Sequence, residues 1–247
     1  MTASLRERAI RGDKLTGVLL RMPAEELVEM SAIAGMDYIL IDCEHGPDDV
    51  LGLRNHIALA ALHEVPVIVR VGENDPGQIL RVLDQGAQGI LAPHLDTRVD
   101  AESLINAAMY PPVGTRGFAT YSRAGRFGST SGSAHRDWFL ENTLVLGMIE
   151  SPAGVAAVNE IVQTARLDGI MIGPADLAAT TGPEDLPVAD ATAAVNAATL
   201  RANLMRMDIV GSPAAATAAF ADGAQLVVYN LTQTLMGHLR QLVDHTT

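Results

Sequence analysis

A single (β/α)8 TIM barrel is the architecture this sequence predicts, and three observations predict it. Short apolar runs recur from end to end, eight in all, and amphipathic helical stretches lie between them. The chain has 247 residues, which suits such a barrel. The glycine-rich turn that a dinucleotide-binding open sheet needs after its first strand is missing, since that strand runs into Arg21, Met22 and Pro23.

The expected strands are residues 16–20, 38–42, 67–71, 89–92, 145–149, 169–172, 208–211 and 225–229. Helical patterning covers 24–34, 76–85, 153–164 and 214–221. Strands that alternate with helices imply parallel pairing, and eight such units imply closure. Two segments break the rhythm. Residues 110–142 are rich in Gly, Ser and Arg and read as a long functional or interfacial loop. Residues 180–190 are rich in Pro, Gly and Asp and lead into an Ala-rich helix. No repeat or linker divides the chain, so residues 1–247 read as one domain. Aromatics are only 4%, so Ala, Val, Leu, Ile and Met must fill the interior.

A formal net charge of −12 and the lack of a basic stripe exclude nucleic acid and an anionic membrane surface as partners. An anionic small molecule stays open, because a site can be locally positive. Cys43 is the sole cysteine, so no intrachain disulfide forms and a reducing compartment is expected. The N-terminus has no apolar signal core and no apolar run approaches about 18 residues, which points to the cytoplasm.

A barrel of this kind carries its active site at the carboxyl ends of the strands. The residues there are Asp42–Cys43–Glu44–His45, Arg70, Pro93–His94, Glu150, Gly173–Pro174–Ala175–Asp176 and Asn230. Charged residues after apolar strands are costly to bury without a purpose. Glu150 and Asp176 suit a hard divalent cation, or else a helix cap and an ion pair. His45, three residues after Asp42, suits a general base oriented by that carboxylate, or else a loop histidine bonded to backbone. Arg70 suits a carboxylate or a developing enolate oxygen, or else a structural salt bridge. Cys43 and His45 are not expected to pair as nucleophile and base, because neighbours in an extended strand point apart.

These residues resemble the motifs of the HpcH/HpaI aldolase family. Residues 37–47 (DYILIDCEHGP) resemble its D-x-x-x-x-D-x-E-H signature, and residues 66–70 (PVIVR) resemble its arginine strand. Residues 83–89 (LDQGAQG) resemble its L-D-x-G-A-x-G turn, and residues 169–177 (GIMIGPADL) resemble its G-P-x-D-L loop. Tyr110, Pro111, Pro112, Gly114, Arg116 and Gly117 resemble its Y-P-P-x-G-x-R-G segment. The blocks follow family order over roughly residues 15–230.

The resemblance implies a phosphoenolpyruvate/pyruvate-domain barrel acting as a class II aldolase. It would join a pyruvate or hydroxypyruvate enolate to an aldehyde, or cleave the 4-hydroxy-2-keto acid that results. A condensing enzyme or a decarboxylase passing through the same enolate is the alternative. The implied cofactor is Mg2+ or Mn2+, with Co2+ or Zn2+ as further options, held by Glu150 and Asp176. His45 would be the acid/base, Asp84 would raise its basicity, and Asp42 would stand nearby. Arg70 would hold the enolate oxygen, and Gly173, Pro174 and Ala175 would present backbone amides to the keto acid. The chain has Met148 where many members have Gln, and a thioether donates no hydrogen bond. Val228–Tyr229–Asn230–Leu231 stands in place of the family's V-G-x-D. A homo-oligomer, a hexamer or trimer of dimers with exchanged last helices, is also implied. That helix would be residues 232–243, with Leu235, Met236, Leu239 and Leu242 on one side; the alternative is that this stripe packs on its own barrel. Finally, Arg116, Arg123, Arg126 and Arg136 crowd the 110–142 segment. Arg123 is expected to reach an active-site mouth, its own or a neighbour's, or else to join interface salt bridges.

Overall fold

The computed structural model describes residues 3–47 and 49–243. Its strands are β1 (Leu15–Leu20), β2 (Tyr38–Asp42), β3 (Val67–Arg70), β4 (Gly89–Ala92), β5 (Leu144–Ile149), β6 (Gly169–Ile172), β7 (Met205–Val210) and β8 (Leu226–Asn230). All pairings are parallel, and β8 returns to β1 to close the barrel. Each expected strand is present. The seventh starts at Met205 rather than at residue 208, because Arg206 is buried in ion pairs with Asp208 and Asp222.

Eleven α-helices flank the strands among the described residues: α1 (Leu5–Ile10), α2 (Glu25–Ile33), α3 (Val50–Leu62), α4 (Pro76–Asp84), α5 (Arg98–Ala108), α6 (Gly132–Asn142), α7 (Pro152–Ile161), α8 (Pro174–Thr180), α9 (Val188–Arg201), α10 (Pro213–Ala221) and α11 (Leu231–Val243). Their starts are written locally. Asp49 and Asp75 accept bonds from the first-turn amides of α3 and α4, and Ser151 and Ser212 do so for α7 and α10. Proline in the first turn starts α4, α7, α8 and α10. Thr97 and Asp100 form a reciprocal capping box on α5.

Strand side chains alternate between two cores. Leu19, Leu40, Leu91, Leu146, Met148 and Met171 fill the barrel interior. Leu20, Ile41, Val69, Ile90, Val145 and Ile170 face outward to the helices. The Tyr38 hydroxyl donates to the Val227 carbonyl at 2.7 Å, a satisfied polar atom inside the barrel.

The 110–142 segment is more ordered than the sequence suggested. It holds a short 3-10 turn at Arg126–Gly128 and the whole of α6. Its anchor is Arg116, whose guanidinium lies 4.6 Å from the Tyr110 ring centre and 4.3 Å from that of Phe139. Arg116 also donates to Asp84 at 2.5 Å, and the Tyr110 hydroxyl meets His135 Nε2 at 3.1 Å. Composition hid this because an arginine counts as a surface residue until aromatic faces close over it. Since α5 descends from the carboxyl end of β4, the segment lies under the amino end of the barrel.

No residue of α11 is buried, and Met236, Leu239, Leu242 and Val243 are exposed. Of the stripe, Leu235 is half-buried at the helix's barrel end, and Met236, Leu239 and Leu242 stand clear of their own barrel. No described helix is long and apolar enough to cross a membrane.

Candidate active site

Parallel strands put every carboxyl end at one rim, where a cavity of about 480 Å3 opens. Arg21, His45, Arg70, Met148, Gly173–Asp176 and Asn230 line it. Side chains from six strand ends thus meet without any being near another in sequence.

Asp42 is the hub. It is 1% exposed, and buried carboxylates need partners. Arg70 grips it with two bonds, Nε to Oδ1 at 2.9 Å and Nη2 to Oδ2 at 2.5 Å. Arg21 Nε adds a bond to Oδ2 at 2.6 Å. The amides of Glu44 and His45 donate to Oδ1 at 3.1 and 3.2 Å. Burial pushes the Asp42 carboxyl up, but Arg70, Arg21 and the His45 amide outweigh it and hold the pKa at about 2. Asp42 therefore fixes the backbone of the His45 loop rather than the imidazole, contrary to the relay expected from spacing. Every oxygen it has is already taken by arginine or amide donors. The His45 side chain is exposed at the cavity, and its ring makes no hydrogen bond to the described residues.

Arg70 Nη1 also pairs with Glu44 Oε2 at 2.9 Å and lies 3.8 Å from Met148 Sδ, a weak acceptor. Burial opposes the Arg70 charge, but Asp42, Glu44 and Glu150 together raise its pKa.

Glu150 is 2% exposed. Its Oε1 accepts the His94 amide at 2.8 Å and meets His94 Nδ1 at 3.1 Å. Its Oε2 is buried without a hydrogen-bond partner. Burial pushes the Glu150 carboxyl up; the His94 amide and ring oppose this, while the negative charges of Glu44 and Asp176 add to it. Gly173 is required here, because a Cβ would stand 2.3 Å from Glu150 Oε2. Asp176, in the first turn of α8, does not cap it: the N-cap is Gly173 and no side chain bonds there. Asp176 instead faces the cavity.

Two residues with no role assigned from sequence join this rim. Glu44, His94 and Glu150 offer ligand atoms within 4.8 Å of one another, and His94 Nε2 lies 3.5 Å from Glu44 Oε1. Position alone flagged them, since both follow strands directly. What sequence did not reveal is the left-handed backbone of His94, φ 54°, which turns its amide onto Glu150.

Asp84 does not join the site within one chain. It ends α4, at the amino end of the barrel, and pairs with Arg116. Arg123 is also there, its aliphatic stem 3.9 Å from where a Gly86 Cβ would lie, so it cannot reach its own chain's active-site mouth.

Fold and site together define a (β/α)8-barrel enzyme with two arginines, a histidine and a carboxylate lining one cavity, and Glu150 buried behind Gly173 of its wall. The sequence model of the HpcH/HpaI aldolase/citrate lyase family matches residues 16–233, and the chain belongs to that family. It is 34% identical to a pyruvate aldolase of Rhizobium etli over 82% of this chain and 78% of that one. It is also 34% identical to a hydroxypyruvate/pyruvate aldolase of Sagittula stellata, over 69% of this chain and 67% of that one. The crystal structure of an HpcH/HpaI aldolase/citrate lyase family protein from Burkholderia cenocepacia superposes with a TM-score of 0.88 at 30% identity, covering 99% of both chains.

Proposed function

We propose that this chain is a metal-dependent class II aldolase. It joins the enolate of pyruvate or hydroxypyruvate to an aldehyde, and runs the reverse cleavage. The observation that carries the metal reading is Glu150 Oε2, a buried carboxylate oxygen with no hydrogen-bond partner among the described residues, set against Gly173 on the Asp176 side of the cavity. A buried carboxylate oxygen without a hydrogen bond is costly unless a cation completes it. Glu150 and Asp176 would hold Mg2+ or Mn2+, whose preference for carboxylate oxygen and water they match. Such an ion supplies Lewis acidity at the keto acid's carbonyl.

The chain's own residues do the rest. Arg70, held rigid by Asp42 and Glu44, faces the cavity and stabilises negative charge as it develops on the keto oxygen. His45, whose ring has no hydrogen-bond partner among the described residues, takes the C3 proton directly or through a water and returns one to the new alkoxide. Gly173–Ala175 line the cavity wall where the keto acid's carboxylate would lie.

Asp84 and His45 stand at opposite ends of one barrel. The pairing that family resemblance implies for them therefore requires a second copy. A homo-oligomer also supplies cover for the apolar face of α11.

The test is a retro-aldol assay read as pyruvate release, with chelator and metal add-back, on wild type, Glu150→Ala and Asp176→Ala. Activity that needs metal in the wild type and is lost in both variants is expected. Full activity of either variant in chelator would overturn the metal assignment.

A further inference from the structure

We infer that His56 is a proton-operated latch on the loop that carries Arg21, and that it makes the site sensitive to mildly acidic pH. Neutral, its ring holds residues 21–24 against α3; protonated, it lets them go. The inference goes beyond the aldolase reading, and the loop can be followed without turnover.

His56 sits in the middle of α3 and is 4% exposed. Its Nε2 accepts the Ala24 amide at 3.1 Å. An accepting Nε2 is unprotonated, so the bonded ring is neutral and carries its proton on Nδ1. Ala24 is the residue from which α2 starts, and no side chain caps that helix. Among the described residues, two hydrogen bonds tie residues 21–24 to neighbouring elements: Arg21 Nε to Asp42, and the Ala24 amide to His56. The first joins one end of the loop to the hub of the site, and the second fixes the other end. Arg21 and His56 also line one small cavity of about 20 Å3, together with Asp42 and Asp49. That is room for about one water molecule, so a proton has a way in.

Protonation reverses what Nε2 can do. An imidazolium donates at both nitrogens, so one N–H would face another at Ala24. The charged groups around the ring decide where the new donor turns. On α2, Glu25 Oε2 is 4.0 Å from Nε2 and half-exposed. At the start of α3, both Asp49 oxygens are taken by the Leu51 and Gly52 amides. After β1 and on β2, Arg21 and Asp42 are bonded to each other, and Arg70 shares Asp42. Glu25 is therefore the carboxylate placed to receive the imidazolium. Burial holds the His56 pKa below its ordinary 6.5, with Glu25 opposing. The latch thus contributes stability above pH 6.5 and loses it as pH falls through the folded value. Asp42 keeps its charge down to about pH 2, so the two events are separate.

The test follows backbone hydrogen exchange of the peptide covering residues 21–27 between about pH 7.5 and 4.5, each rate divided by that of an unstructured chain at the same pH. Wild type, His56→Gln and Glu25→Gln are compared. Wild-type exchange is expected to quicken by about fivefold as pH falls, the loss of one hydrogen bond. His56→Gln keeps an acceptor that cannot be protonated there, and should stay within about twofold. Glu25→Gln should move the wild-type transition to lower pH, because the imidazolium loses its partner. It changes a half-exposed side chain, so it decides the matter alone if His56→Gln fails to fold. Equal acid responses in wild type and His56→Gln would overturn the latch, and so would a transition that Glu25→Gln leaves in place. Turnover with pyruvate is read as the ratio of wild type to His56→Gln, in which shared pH effects cancel. That ratio should fall with the same midpoint; a flat ratio would overturn the link to the site.

Discussion

Glu150, the proposed metal ligand, is a buried carboxylate whose charge costs the fold. Its folded pKa is raised by burial first, then by Glu44 and Asp176. A carboxyl with a raised pKa contributes stability below its unfolded value and loses it as pH rises through the folded value. Glu150 therefore costs the metal-free protein stability as pH rises above the ordinary carboxylate range. Glu150→Gln keeps an oxygen for the His94 amide and removes the charge. It is expected to raise the melting temperature of the metal-free protein at neutral pH, with the gain vanishing toward pH 4. The same variant should lose the stabilisation that Mg2+ or Mn2+ gives the wild type, and its activity. Calorimetry across pH with and without metal checks both; a variant less stable than wild type at neutral pH would refute this account of Glu150. His45 is the converse, exposed and without a hydrogen-bond partner among the described residues. His45→Ala should lower kcat by about 10²–10⁴-fold with pyruvate binding kept, the usual scale of acid/base catalysis. Pyruvate affinity lost at normal kcat would make His45 a binding residue instead.

Elements matter here through what joins their ends. Asp42 ties the tip of β2 to Arg21 after β1, to Arg70 on β3 and to its own following loop. Its pKa falls from 3.8 to about 2, so its contribution is present above pH 3.8 and is lost as pH falls through about 2. The size is about 2 kcal/mol, nearly two pKa units at about 1.4 kcal/mol each. Asp42→Asn should be less stable at neutral pH and should flatten the acid limb of the stability curve between pH 4 and 2; an unchanged limb would show the tie to be unimportant. The strands themselves were legible in sequence because apolar runs bounded by Gly and Pro survive any context. So was the rim, because Asp42, His45, Arg70, Glu150 and Asp176 each follow such a run. What escaped was long-range. Spacing pairs Asp42 with its neighbour His45, whereas Arg21 and Arg70 claim it. Residues 132–142 look like loop in sequence, since α6 has a polar composition and its cover, Tyr110 over Phe139, comes from outside the helix. Asp84 fits its motif in sequence, yet the topology carries it to the other end of the barrel.

At the scale of the whole molecule, that displacement of Asp84 becomes an argument about assembly. One barrel has its active site at the carboxyl end of the sheet and Asp84, with Arg123 and the exposed rings of Phe118, Tyr121, Phe127 and Trp138, on or beside the segment under the amino end. Exposed aromatics gathered on one segment, in a chain with few aromatics, form a surface that the proposed homo-oligomer would cover. The uncovered stripe of α11 is a second such surface. If copies pack so that Asp84 of one approaches His45 of the next, each working site takes one residue from each of two chains. Light scattering at micromolar concentration should then show an oligomer, and deletion of residues 232–243 should shift it toward monomer. A sharper test mixes two inactive variants. His45→Ala keeps Asp84, and Asp84→Asn keeps His45. In hybrids formed by co-expression, about a quarter of the sites would pair an intact His45 with an intact Asp84 under random assembly. Activity should return toward that fraction of wild type. A site built within one chain would gain nothing, because every chain in the hybrid lacks one of the two residues. Hybrids as inactive as their parents, in material shown to be mixed, would exclude Asp84 from the reaction of any neighbouring copy and leave it as the anchor of Arg116.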